Sequence, residues 1–545
     1  MTIRWAYLKR VLAGAIFGLY IAHLLYFINP QIDITPARLV TVTLIYGLLC
    51  GLLFGTALWL LRVLRVRLFG RADSEGAYRA HGFGFVVLAA FIAAALYWMH
   101  LYVFRVGLLP IGAVRVLAKS TNLITSTAFA LLLLWFLERN ADRRQSRIIF
   151  ITGVLLIAIS AFFLYERRDS YRTEKQSVVV ANVGTVAGER PVIVIAVRNL
   201  PYDWILTLTG EGSLPFFEQA RKSAYFTRLE PFPTLNPSAL WASMATGKLP
   251  FRHGVTGRFA YRTPLNSSDP SDRFLIVPSG VGFRVWGLLP PIERISAQLP
   301  SGDALPVWTL FRRVGLRAAV IDWPGAASRT AIVAAPSAGV VQRFNGAARA
   351  RERIVSGLAA DLTTAARVRM LASDRNVALV IGALNGFEEA QRAIHIFNND
   401  LPSRSTMKGE VLRAYAEQID LTLASVARQF PDHLLVVVSA SGPVPQPLPV
   451  TPYALLRDFI AGPDPGADDG FVLIAGSGVA HPEKPLPAAA EDIVPTVLYA
   501  AGLPVGRDMD GRVLTDAFTD EQLRSNPLSV VQTYEARQLV VRSHS

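Results

Sequence analysis

Two hydrophobic patterns divide the chain near residue 166. Ahead of it the apolar positions run almost unbroken through 11–28, 39–61, 83–101, 122–137 and 148–165. A bilayer-spanning helix needs about 20 predominantly apolar residues, with a lower limit near 17. The pattern therefore predicts an anchor of about five transmembrane helices over residues 1–165. Beyond residue 190 the apolar residues come instead as short β-branched runs: PVIVIAV (191–197), LRAAVI (316–321), VALVIG (377–382), HLLVVVS (433–439) and FVLIAG (471–476). Such runs without polar alternation mark strands buried on both faces of a parallel sheet. Helical patterns at 214–224, 409–430 and 491–501 separate them, which predicts a layered α/β domain with a mostly parallel central sheet. Residues 166–190, polar and broken by Gly184 and Gly188, read as a linker. The folded domain spans 191–520 with a Pro-, Gly- and Ser-rich insertion around 262–305. Residues 521–545 form a C-terminal tail whose Val530, Tyr534, Leu539 and Val540 suggest one weak helix.

Charge sets the orientation. Lys and Arg cluster at the N-terminus (Arg4, Lys9, Arg10), in the second connection (Arg62, Arg65, Arg67, Arg71, Arg79) and in the fourth (Arg139, Arg143, Arg144, Arg147). Positive connections stay in the cytoplasm. This predicts a multi-pass protein of the cell (inner) membrane with a cytoplasmic N-terminus and a periplasmic or extracellular domain. The basic start resembles a secretory signal, but no small-residue cleavage site follows it, so it reads as a retained anchor. The formal net charge is +14, and eighteen Lys and Arg against seven Asp and Glu lie before residue 170. The basicity is thus mostly topogenic, and no basic face interleaved with aromatics points to nucleic acid. The only cysteine is Cys50, inside the second apolar run, which excludes an internal disulfide and a Cys-built zinc site.

Three long segments carry a family resemblance: PFPTLNPSALWASMATGKLPFRHGV (231–255), PVWTLFRRVGLRAAVIDWPG (306–325) and AEDIVPTVLYAAGLPVGRDMDGRVL (490–514). Over roughly 190–518 the chain resembles the alkaline phosphatase superfamily in its type I phosphodiesterase/nucleotide pyrophosphatase branch. The resemblance implies two divalent metals such as zinc, held by about six Asp and His side chains, and a Thr or Ser that attacks phosphorus between them.

The positions that should carry this chemistry are substituted. Where the first strand of the family ends in Asp-Gly, Arg198 and Asn199 stand, and a permanently cationic guanidinium cannot ligate zinc. The nucleophile's slot holds Asn236, with Thr234 and Ser238 the local hydroxyls. The middle Asp-x-x-x-His pair is answered by Asn385 and Glu389. The Asp-His-Gly of a later strand becomes Ala440, Ser441 and Gly442 after Ser439, and the turn at 462–470 has no histidine. Of the remaining histidines, His253 fits a structural turn, His433 and His544 lack the spacing of a site, and His395 and His481 read as solvated surface or loop residues. Asp468 and Asp469 fit a solvated turn. Tyr202, Asp203, Trp204, Tyr415 and Asp420 match the family as packing residues.

The sequence therefore implies a membrane-anchored, catalytically degenerate phosphodiesterase-like protein without a cofactor, with a binding or structural role outside the cytoplasm. Its expected partners are the bilayer, other membrane-protein subunits of a complex and an anionic phosphorylated ligand, but not nucleic acid. The ligand would meet a vestigial pocket of Arg198, Asn199, Thr234, Asn236, Asn385, Glu389, Ser439 and Ser441. The competing reading is an active metal-dependent phosphodiesterase or lipid-headgroup phosphotransferase with relocated ligands. Helical spans followed by such a domain also resemble phosphoethanolamine and lipoteichoic-acid transferases.

Overall fold

The computed structural model describes residues 111–138, 141–169, 171–177, 190–230, 237–255, 304–326, 334–344, 347–396, 401–440, 469–535 and 537–543, with short pieces at 259–262, 273–274 and 293–296 and scattered positions before residue 110. Helices α1 (Ile111–Glu138) and α2 (Arg143–Asp169) contain the two stretches, among the described residues, long and apolar enough to cross a membrane: Leu117–Glu138 and Arg144–Leu164. A core helix of a soluble protein is mostly covered, whereas only 28% and 18% of these windows are buried. Phe129, Leu133 and Phe136 on α1 and Phe150, Leu155 and Phe162 on α2 stay exposed. Two polar exceptions turn inward: the hydroxyls of Thr127 and Ser160 share a 2.6 Å hydrogen bond between the helices, a contact that suits an apolar surround.

Of the five expected spans, two are thus found among the described residues. The runs at 11–28 and 39–61 lie largely outside the described residues, and the run at 83–101 is represented by a shorter apolar helix, Val86–Ala95.

After α2 comes a short strand, β1 (Tyr171–Ser177), and then the α/β domain. Its sheet is built from β2 (Val192–Arg198), β3 (Tyr225–Glu230), β4 (Arg317–Ile321), β5 (Val377–Leu384), β6 (Leu434–Ala440), β7 (Gly470–Ala475) and the two-residue β8 (Ala488–Ala489). The spatial order is β8-β3-β7-β6-β2-β5-β4. Only β7 runs against both neighbours, so the sheet is mostly parallel, as the unbroken apolar runs require.

Alternation along β2 makes three layers. Val192, Val194 and Ala196 face one core with Trp241, Val494 and Leu498, while Ile193, Ile195 and Val197 face a second with Phe217, Leu358 and Leu423. Each fully buried aliphatic side chain contributes about 1.5–3 kcal/mol. The first core is covered by α3 (Pro237–Thr246) and a late helix, Ile493–Ala500. The second is covered chiefly by α4 (Ala348–Ala372), α5 (Gly386–Ala393) and α6 (Met407–Gln429).

Two terminal regions depart from expectation. The polar linker supplies β1, and residues 537–543 form β9 (Arg537–Ser543), which pairs antiparallel with β1 from Tyr171↔Ser543 to Ser177↔Arg537. The predicted tail helix is replaced by a six-residue helix at Asp520–Ser525, a strand at Val530–Val531 and β9. A strand forms at the end because the membrane-proximal segment offers an edge for it. Of the insertion at 262–305, the described pieces include Arg273–Phe274 and Glu293–Ser296, which flank Phe259–Arg262 in a small antiparallel sheet.

Candidate functional site

Parallel strands bring their carboxyl ends to one edge of the sheet, where ligand sites of open α/β domains are built. In register, Arg198 lies opposite Ala440, and the pair Val197↔Leu384 places Asn385 next in line across β2 and β5. Arg198, Asn199, Asn385, Ser439 and Ala440 therefore gather at one edge, with Glu389 on the helix that follows β5. Thr234, Asn236 and Ser441 lie outside the described residues.

Arg198 forms an ion pair with Glu388, whose side chain is only 4% exposed. The other oxygen of the same carboxylate bonds the guanidinium of Arg392, one helical turn on along α5. The two arginines are 28% and 36% exposed. Glu389, more exposed, reaches Arg392 only at 3.7 Å. One buried carboxylate thus organises two half-exposed cations. Neither Glu388 nor Arg392 was singled out by sequence reasoning. Their spacing of four on a helix was visible, but their meeting with Arg198 depends on the fold.

Asn199 sits in the left-handed region (φ 63°), where asparagine is tolerated better than most residues. Its Nδ2 donates to Gln391 Oε1 at 2.6 Å, and Gln391 Nε2 donates back to the Asn199 carbonyl at 3.2 Å. Ser439, fully buried, donates to the Leu200 carbonyl at 2.7 Å and accepts from the Leu200 amide at 3.1 Å. Both amide and hydroxyl lock the turn after β2 to its neighbours. Asn385 Nδ2 donates to the carbonyls of Asp322 and Ala383, at 3.0 and 3.2 Å, and its buried Oδ1 has no hydrogen-bond partner among the described residues. The buried Arg392 Nε is in the same position.

Beneath the edge, Asp361 of α4 accepts from the Gly386 amide at 3.0 Å and from the Tyr415 hydroxyl at 2.9 Å. It thereby answers an amide at the amino end of α5, where a negative group is favoured. Burial is the largest influence on this carboxyl and pushes its pKa up to about 7, against the pull of those hydrogen bonds. A Cβ on Gly386 would stand 1.9 Å from the Tyr415 hydroxyl and 2.5 Å from the Gly357 carbonyl oxygen. This position therefore requires glycine.

The remaining family-like residues serve the frame. Asp420 accepts from the amides of Phe216 and Phe217, both at 3.0 Å, at the start of the helix Pro215–Ser223. Tyr202 stacks on Phe226, and Asp203 lies 3.3 Å from Arg228. His253 is buried, and its Nδ1 accepts from the Val255 amide at 3.1 Å. The ring proton therefore sits on Nε2, 3.0 Å from Ser243 Oγ. His481 Nδ1 lies 2.9 Å from the Ala224 carbonyl oxygen, where the ring donates.

A pair of divalent cations needs several carboxylate and imidazole donors converging on each ion. Among the described residues no group of three or more His, Cys, Asp or Glu could hold a metal. At the sheet edge the donors are instead a guanidinium, two amides and a hydroxyl; of the buried carboxylates beneath it, Glu388 is taken by two arginines and Asp361 by the Gly386 amide and the Tyr415 hydroxyl. Among the described residues, this donor set does not fit a two-metal centre.

Residues 192–447 match the model of the family described as type I phosphodiesterase/nucleotide pyrophosphatase. No curated protein matches the chain. Among solved structures, the chain is similar to a 2-O GAG sulfatase (14% identity, 61% of this chain and 74% of that one, TM-score 0.41). It is also similar to murine ectonucleotide pyrophosphatase/phosphodiesterase 5 (11%, 62% and 100%, TM-score 0.36). A third match is a phosphonate monoester hydrolase from Silicibacter pomeroyi (13%, 60% and 76%, TM-score 0.35).

Proposed function

We propose, from the premise that residues 192–447 form a type I phosphodiesterase/nucleotide pyrophosphatase domain, that this chain uses the fold to bind or to support a membrane assembly and does not hydrolyse phosphodiesters. The observation that carries the reading is Arg198. It stands at the end of the first sheet strand, where the family resemblance expects a metal-ligating aspartate, and it is held there by buried Glu388. A cation fixed at that point opposes a divalent metal by like charge as well as by lacking a lone pair to donate.

The exposed apolar faces of α1 and α2 support anchoring in a bilayer. The distribution of Lys and Arg supports a multi-pass topology with a cytoplasmic N-terminus and an outward-facing domain. Pairing of β1 with β9 supports a role in which the domain is held close to its anchor, because the segment leaving α2 is tied to the chain's last strand. Other membrane subunits and an anionic ligand are the partners this reading proposes.

The test is turnover of bis-p-nitrophenyl phosphate by the full-length protein in detergent with added zinc or manganese. The reading predicts no release above a protein-free control. Metal-dependent turnover abolished by Thr234→Ala would establish the active-enzyme alternative instead.

A further inference from the structure

We infer that Arg198 and Arg392, gripped from behind by the two oxygens of Glu388, form a binding site for a tetrahedral dianion, the terminal phosphate of a phosphomonoester or a sulfate. The inference rests on the reading above, that the sheet edge binds without turnover.

Three features of the pair argue for a ligand. First, the two guanidiniums share one buried carboxylate, so Arg198 has only half of Glu388, and the second carboxylate, half-exposed Glu389, reaches Arg392 alone at 3.7 Å. Second, the arginines are pre-arranged. Glu388 is 4% exposed and bonds each guanidinium on one side, while 28% and 36% of their side chains remain open to solvent. A guanidinium carries five N–H donors in a fixed fork that matches the oxygens of phosphate or sulfate. Holding two forks in place beforehand removes much of the ordering cost of binding. Third, the site has unspent polar capacity. Arg392 Nε is a buried donor without a hydrogen-bond partner among the described residues, and Asn385 Oδ1 is a buried acceptor in the same state. Such groups in a native fold call for an ion, a water or a ligand. The Arg392 donor suits the anion.

The location reinforces this. Arg198 closes β2 and Arg392 lies on α5, so both stand at the carboxyl edge of the parallel strands, where ligands of open α/β sheets bind. The rest of the edge is immobilised by the Asn199–Gln391 amide pair and by Ser439 on Leu200.

The experiment is calorimetric titration of the full-length protein in detergent with inorganic phosphate, sulfate and glycerol 3-phosphate, and in a second arm with nanodiscs containing phosphatidic acid. Saturable binding of at least one probe is expected. Arg198→Gln and Arg392→Gln should each weaken it ten-fold or more, and Arg317→Gln should leave it unchanged. Arg317 begins β4 and so stands at the opposite edge of the sheet. Binding of the soluble anions identifies a free ligand, whereas binding only in the nanodisc arm identifies a lipid headgroup. Either supports the assignment if the two arginine variants reduce it. No saturable binding in either arm, or binding indifferent to both variants with their thermal melts intact, overturns it. Phosphodiester turnover would defeat the proposed function and leave this site to be judged by the titration alone.

Discussion

Arg198 and Glu388 meet across the edge of the sheet, a strand-end cation on a carboxylate that is almost wholly buried. Because the other oxygen of Glu388 holds Arg392, one residue carries the geometry of two. Replacing Glu388 by alanine would leave two arginines near each other with only the half-exposed Glu389 beside Arg392. The Arg392 hydrogen bond to Glu388 is charged and contributes about 1.5–3 kcal/mol, less where the partner is partly solvated, and the Arg198 ion pair adds to it. Glu388→Ala should therefore destabilise the domain by about 2 kcal/mol in urea unfolding, whereas Glu389→Ala, on the exposed side of the same helix, should shift stability by under about 0.5 kcal/mol.

Gly386 and Tyr415 make a second test of the same edge. Gly386→Ala forces a methyl into the Tyr415 hydroxyl and the Gly357 backbone. Overpacking of this kind costs about 1–3 kcal/mol. Pairing it with Tyr415→Phe should recover part of the loss, since the clashing oxygen is then gone. Thermal melts of the two single variants and the double variant would show the coupling.

Asp361 gives stability a dependence on pH. Its folded pKa, raised by burial to about 7, lies above its value of about 3.9 in an unfolded chain. The folded state keeps a proton that the unfolded state has lost, so this contribution is complete below about pH 4 and is lost as pH rises through about 7. Glu491, raised by burial to about 7, acts in the same direction. Unfolding measured between pH 4 and 7 should show Asp361→Asn removing up to about 1.4 kcal/mol per pH unit of the decline.

His253 acts with the opposite sign. Burial, helped by Lys248, lowers its pKa to about 3, so the folded state keeps the ring neutral while an unfolded chain protonates it near 6.5. Its contribution is present above about pH 6.5 and is lost as pH falls towards 3. A His253→Gln variant should be less stable at pH 8 and should lose this acid-side sensitivity in the same melts.

Lys248 is buried between Asp508 at 2.7 Å and Glu535 at 2.6 Å, and Glu535 also accepts from the Leu305 amide at 2.8 Å. This network ties the segment ahead of β9 to the turn after α3. Removing one partner from a buried ion pair costs about 3–5 kcal/mol. Lys248→Met should therefore both lower stability and hasten proteolytic cleavage within 526–535, read by mass spectrometry of the fragments.

The sheet was legible in the sequence wherever burial is two-sided. The runs beginning at Val192, Val377 and Leu434 have no polar residue to give another period, so they could be read directly. Tyr225–Glu230 escaped because its exposed Arg228 and Glu230 break the run, and its role as a strand is set by antiparallel pairing with Gly470–Ala475. The C-terminal strand escaped for a related reason, since its partner lies in a polar linker more than 350 residues earlier. At the site, the substitutions at 198, 199, 385 and 440 were visible by position. What holds Arg198 was not, because Glu388 reaches it only once β2 and β5 lie side by side. Sequence spacing records helical neighbours such as Glu388 and Arg392, but contacts between strands belong to the fold.

With Arg198 in place, this sheet edge is proposed not to hold a catalytic metal pair. Metal content of the full-length protein, purified without chelator and then dialysed against zinc and manganese, measures this most directly. The account predicts less than about 0.1 equivalent of tightly held metal per chain by mass spectrometry, unchanged by Arg198→Asp alone, since one carboxylate does not rebuild a two-metal centre. Two equivalents per chain, retained through gel filtration and accompanied by phosphodiester turnover, would contradict it.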